Sequence, residues 1–260
     1  MKTNSKKSKK QWLVGLIVAL LILIGGCTWY LCDYYPADDA AISQFAKEHI
    51  YVERDWLPDI EISKQEIADG CIAYVPTEIS AGFIFYPGGK VEHSAYEPLM
   101  MACARRGILS VVVEVPFRLA VFDINAADGI QAFYPEVKKW YIGGHSLGGS
   151  MAASYLANHV DAYDGLVLLA SYSTADLTQS NLEILSLYGD QDGVLNLEKY
   201  QEYLPNINTD SKALTETIIE GGNHAFFGMY GKQSGDGEST IGNADQINTT
   251  ADEIAKFIFE

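Results

Sequence analysis

Along the chain, apolar positions fall into two kinds of pattern. One is continuous: residues 12–24 carry almost no polar side chain, and with Gly25 and Gly26 they lie in an uncharged stretch from Gln11 to Cys32. That length approaches the ~20 residues needed to cross a bilayer as a helix and exceeds the apolar region of most cleaved signals. The second pattern is a series of short runs. Residues 71–75, 82–86, 108–113, 140–142, 166–170, 184–188 and 214–219 are β-rich and predict strands, most of them buried on both faces. Helical spacing predicts helices over 96–106, 119–133, 150–159, 195–203 and 249–259. It also predicts a small lead-in helix over 40–50, where Ala41, Ile42, Phe45 and Ala46 share a face. Strand and helix alternate, the signature of a mostly parallel sheet with helices on both faces.

Length and charge refine this picture. At 260 residues the chain fits one domain plus an appendage. The expected layout is a basic tail over 1–10, a transmembrane signal-anchor over 11–32, a lead-in segment over 33–69 and a catalytic domain over 70–260. The formal charge is −16, but the first ten residues hold five lysines and no acid, so the rest carries 13 basic against 34 acidic residues, a net −21. Such a body repels nucleic acid, and polyanionic ligands are disfavoured. The lysines keep the N-terminus cytoplasmic, which places the body on the far side of a cell membrane as a single-pass protein, with Trp12, Trp29 and Tyr30 at interfacial positions. A rival reading is a lipobox at Ile24-Gly25-Gly26-Cys27, with cleavage and lipidation at Cys27; length favours the intact anchor. Only Cys71 and Cys103 lie in the body, and they are expected as buried free thiols.

Chemistry enters at residues 140–154. A strand ending Ile142-Gly143 runs into Gly144-His145-Ser146-Leu147-Gly148-Gly149 and at once into a small-residue helix. In a strand–turn–helix elbow the serine is strained and exposed, and glycines two before and two after it clear the space it needs. Ser146 is therefore the candidate nucleophile, at a helix N-terminus that favours developing negative charge. His145 is expected as structural or surface. A serine needs a histidine to take its proton and a carboxylate to orient that histidine. Asp190 and Asp192 end the strand over 184–188, where functional groups of open α/β sheets gather. His224, the only histidine after them, follows the last strand. A calcium loop fails on its first ligand position, Tyr188, and on the spacing to Glu198. For the anionic intermediate, Leu147 N–H is one donor. A second comes from the glycine turn Tyr86-Pro87-Gly88-Gly89, with Gly89 the choice and Lys90 next.

These residues together resemble the α/β-hydrolase superfamily, and most of all the small bacterial group labelled α/β-hydrolase fold-5, over about residues 40–260. The resemblance rests on Tyr86-Pro87-Gly88-Gly89, the Ser146 elbow, Gly189-Asp190-Gln191-Asp192-Gly193-Val194, and Gly222-Asn223-His224 with Phe227-Gly228-x-Tyr230-Gly231. It implies an eight-stranded, mostly parallel sheet, and a Ser146, Asp192, His224 triad in the family's chain order. Asp192 is preferred because Gly189, Asp192 and Val194 match the family's turn. It further implies cleavage of a carboxylic ester or similar acyl bond in a small-molecule or lipid-like substrate, without metal or organic cofactor. Only residues 171–183 separate the two strands between which many relatives insert a helical lid, so no large lid is expected. The segment 226–242 is instead expected to wall the pocket, with Lys90, Glu92 and Tyr96 opposite. An acyltransferase uses the same triad, and a non-catalytic surface scaffold keeps the fold without it; the sequence names no protein partner.

Overall fold

In the computed structural model, which describes residues 4–50, 61–207 and 213–260, the chain divides into two units, Met1–Tyr34 and Tyr35–Glu260. The first is a single helix, α1 (Asn4–Cys32). Within it Gln11–Cys32 has a mean hydropathy of 2.3 and no buried residue, and it is long and apolar enough to cross a bilayer.

The second unit is built on one eight-stranded sheet in the order β1-β2-β4-β3-β5-β6-β7-β8. The strands are β1 (Ile62–Ala68), β2 (Cys71–Pro76), β3 (Ala81–Tyr86), β4 (Ile108–Val112), β5 (Trp140–His145), β6 (Gly165–Leu169), β7 (Glu183–Gly189) and β8 (Leu214–Ile219). From β4 to β8 every pairing is parallel, whereas β2 is antiparallel to β4 and β1 antiparallel to β2. The central strands β3 to β6 are buried throughout, which is why they read as unbroken apolar runs.

Alternate side chains feed two cores. Phe83 and Phe85 point to the face covered by α3 (Glu97–Ala104) and α6 (Asn243–Phe259), while Ile84 and Tyr86 join Ala152, Ala153 and Leu156 of α4 (Leu147–Leu156) on the other. The lead-in helix forms as α2 (Asp39–Phe45), capped by Asp38 through the Ala41 N–H, and continues as a π-turn to Ile50. Cys71 and Cys103 are buried free thiols.

Three expectations change. β1 was not anticipated, because Ile62-Ser63-Lys64-Gln65-Glu66 is a polar edge with little apolar signal. It exists through its hairpin, in which Asp69 and Gly70 both take positive φ (44° and 78°), as a tight Asp-Gly turn requires. No α-helix forms over 119–133; short 3-10 turns stand at Pro116–Arg118, Ala120–Phe122 and Ile130–Phe133. There Tyr86 Oη donates to Ile124 C=O at 2.7 Å and accepts from Ala127 N–H at 3.0 Å, so a side chain satisfies backbone groups that a helix would pair internally. Lastly, α6 begins at Asn243, six residues before the predicted start, and α4 begins directly after Ser146.

Candidate active site

β5 delivers Ser146 to the C-terminal edge of the sheet and α4 departs from it. Between them Ser146 adopts φ 53°, ψ −121°, a conformation costing ~1–3 kcal/mol that the surroundings must enforce. They do so through its N–H, bonded to Leu169 C=O at 2.9 Å, and its C=O, which accepts from Ser171 Oγ at 2.7 Å. The flanking glycines are obligatory: a Cβ on Gly144 would stand 2.5 Å from Tyr86 O, and one on Gly148 2.3 Å from the carbonyls of Tyr86 and Pro87. The hydroxyl bearer itself is partly exposed.

Two loops at the same edge bring the acid and base candidates together. Asp192, in the turn after β7, places Oδ2 2.8 Å from His224 Nδ1, with side-chain exposures of 2% and 1%. Its other oxygen accepts from the N–H groups of Val194 (2.8 Å) and Leu195 (2.7 Å). A carboxylate so placed assigns the proton of neutral His224 to Nδ1 and leaves a lone pair on Nε2. That Nε2 is buried and has no hydrogen-bond partner among the described residues. Asp190 is occupied elsewhere, accepting from Gly221 N–H at 2.7 Å.

His145 is buried, not at the surface. Its ring packs 4.4 Å from that of His224, and its Nδ1 lies 2.8 Å from Tyr96 Oη. The same hydroxyl oxygen accepts from Gly88 N–H at 3.0 Å. Burial first, and the neighbouring His224 second, hold His145 well below the usual imidazole range, so it stays neutral beside the base candidate. This chain of bonds ties the glycine turn to the elbow. Gly89 follows at close quarters, since a Cβ there would lie 3.0 Å from Leu147 Cδ2. Lys90 N–H is already donated to Arg118 C=O at 2.8 Å, whereas neither Gly89 nor Leu147 N–H bonds another group among the described residues.

A sequence-family profile described as the alpha/beta hydrolase family matches residues 82–248, well over half of the chain. The chain belongs to that family. This α/β hydrolase also resembles solved structures in fold. One is a predicted CIB-like hydrolase from Thermoplasma acidophilum, at TM-score 0.54 and 15% identity over 76% of this chain and 99% of that one. Another is a protein from Thermus thermophilus, at TM-score 0.56 and 12% identity over 77% of this chain and 99% of that one. No curated protein matches by sequence.

The hydrolase contains site-supporting residues that sequence reasoning missed. Tyr96 was expected on the pocket wall but is fully buried, and Glu92 turns its carboxylate to Ala37 N–H. Gln246 of α6 holds the backbone beside His224, accepting from Asn223 N–H (3.0 Å) and donating to Asn223 C=O (2.8 Å). Asp236, within the expected pocket wall, bonds four backbone N–H groups around the pair. A cavity of about 430 Å³ between Lys139, Asp164 and Glu183 lies at the N-terminal ends of β5 to β7, the end of the sheet opposite Ser146. Among the described residues, no three His, Cys, Asp or Glu side chains converge to hold a metal ion.

Proposed function

We propose that this α/β hydrolase is a membrane-anchored, extracytoplasmic serine hydrolase that cleaves a carboxylic ester or related acyl bond through Ser146, His224 and Asp192. The observation that carries the reading is the buried, unpartnered Nε2 of His224, whose other nitrogen is fixed by Asp192. A buried acceptor left unpaired costs ~1–3 kcal/mol, a penalty that a catalytic base removes when it engages the nucleophile's proton.

The reaction follows from these groups. Ser146 Oγ attacks the acyl carbon while its proton passes to His224 Nε2, and the carbonyl π electrons become an oxyanion. Leu147 and Gly89 N–H stabilise that charge, which is worth ~3–4 kcal/mol for a single well-aimed donor. Collapse expels the alcohol, protonated by His224, and leaves an acyl-serine. Water, deprotonated by the same histidine, repeats the sequence and releases the acid. Asp192 holds the imidazole tautomer and offsets the imidazolium charge.

Anchoring is supported by Gln11–Cys32, none of whose residues is buried and which five lysines that favour a cytoplasmic N-terminus precede.

The test is labelling of full-length protein by a fluorophosphonate, followed by hydrolysis of an activated ester. Ser146→Ala abolishes labelling and lowers turnover at least ~10³-fold with folding intact. Labelling that persists in Ser146→Ala removes the serine from the mechanism.

A further inference from the structure

Beyond the base, the chain carries a carboxylate for which the reaction above has no use. Asp236 lies in Gly235-Asp236-Gly237, and its oxygens accept four backbone N–H groups. Oδ1 takes Gly193 at 3.1 Å, His224 at 3.2 Å and Gly237 at 2.8 Å, and Oδ2 takes Ala225 at 2.8 Å. Gly193 follows Asp192 directly, while His224 and Ala225 are the base and its neighbour. One charged group thus grips the backbone on both sides of the 2.8 Å Asp192–His224 bond, whose partners are 32 residues apart in sequence.

The loops are shaped for this grip. A Cβ on Gly237 would stand 2.0 Å from Gln191 O, and one on Gly193 2.6 Å from Gly235 O, so the acid's turn and the Asp236 loop meet backbone to backbone. Charge-assisted bonds of this kind are about twice as strong as neutral ones, and four of them converge on one side chain.

We infer that Asp236 is a positioning residue, which fixes the acid's turn against the base's loop so that His224 stays oriented by Asp192 with Nε2 free for Ser146. The inference rests on the proposed triad. Besides the Asp192–His224 bond, the two loops are joined by Gln191 N–H to Gly222 C=O at 2.9 Å and by Gly221 N–H to Asp190 at 2.7 Å, whereas Asp236 is the side chain that ties Gly193 to the backbone of His224 itself. Displacement of the imidazole by ~1 Å is enough to cost ~10²-fold in rate.

The test uses the full-length protein in detergent, with Asp236→Asn as the perturbation. The amide keeps the size but must turn its NH₂ toward Ala225 N–H or toward three N–H donors at once. Expected are a fall of about 10- to 100-fold in both kcat and the rate of Ser146 labelling by a fluorophosphonate. KM should stay within about twofold, and the low-field proton resonance of His224 Nδ1–H should broaden or vanish. Asp190→Asn weakens another bond between the same two loops, the one from Gly221 N–H, without touching Gly193 or His224, and should leave all three readouts near the parent's. Melting curves identify any variant unfolded at the assay temperature; Asp236→Ser, which retains one acceptor, then takes the place of Asp236→Asn under the same criteria. The inference falls if the variant labels, turns over and shows the resonance as the parent does, or if activity falls only in proportion to the unfolded fraction. A parent that does not label at Ser146 overturns the triad reading, and this inference with it.

Discussion

Replacing Asp192 by Asn separates the orienting carboxylate from its neighbour in the same turn. The side chain has two distinct duties: Oδ1 accepts from Val194 and Leu195 N–H, and Oδ2 faces His224 Nδ1. An asparagine has one oxygen for both. If that oxygen stays with the two N–H groups, the amide NH₂ faces Nδ1, which must then be the lone-pair nitrogen, and the proton moves to Nε2. Such a histidine cannot accept the Ser146 proton. If the amide flips, its NH₂ opposes two buried donors, which costs ~1–3 kcal/mol for each group left unsatisfied. The first orientation wins by that margin, so the wrong tautomer predominates and kcat falls by up to ~10⁴, with KM little changed. Asp190→Asn loses only part of the bond to Gly221, and the expected cost is ~1 kcal/mol of stability. Both variants are purified, checked by circular dichroism and assayed for ester hydrolysis at neutral pH. Asp192→Asn retaining more than about a tenth of parental turnover, or Asp190→Asn being the more impaired, refutes the tautomer argument.

Two further outcomes are expected. His145 is held neutral by burial, so its folded-state affinity for protons lies below that of the unfolded chain. As pH falls below ~6.5 the unfolded state takes up a proton that the folded state refuses, and stability drops by up to ~1.4 kcal/mol per pH unit from this group. Denaturation midpoints between pH 7 and 5 should therefore fall less steeply in His145→Gln, and an unchanged slope refutes the assignment. Deleting residues 1–30, which removes nearly all of the first unit and nothing of the second, should yield a soluble, active hydrolase. Retention of that truncated protein in the membrane fraction would reveal a second membrane-binding surface, and the mass of the full-length protein distinguishes an intact anchor from lipidation at Cys27.

How far the fold could be read depended on burial. Strands enclosed on both faces, such as β3 with Ala81-Gly82-Phe83-Ile84-Phe85-Tyr86, announce themselves as apolar runs. The edge strand β1 has four consecutive exposed residues, 63–66, so both of its faces are wet at the centre and its pattern is that of a surface loop. Its signal lay in the turn, Asp69-Gly70, not in the strand. The helix expected over 119–133 failed for the opposite reason. Ala120, Ala127 and Ile130 do reach the core, but Tyr86, about forty residues earlier, takes over the backbone bonding at Ile124 and Ala127.

The site divides along the same line. Ser146, Asp192 and His224 stand in short motifs because each needs a special local backbone: an elbow with positive φ, a turn whose N–H groups point at the acid, and a tight exit from β8 in which Gly221 takes φ 75°. Local strain leaves glycines behind, and glycines are visible in sequence. The supporting residues act across distance instead. Tyr96 reaches His145 over 49 positions, Asp236 reaches Gly193 over 43, and Gln246 reaches Asn223 over 23, each through an ordinary side chain on an ordinary backbone. Nothing local marks them, except that Asp236 has a glycine on each side, as a loop that must approach another backbone closely would. The positions that shape a catalytic group's own backbone are thus legible one motif at a time. The positions that hold two such motifs in register become legible only when the chain has folded, and a mutation there should show itself in kcat before it shows itself in substrate binding.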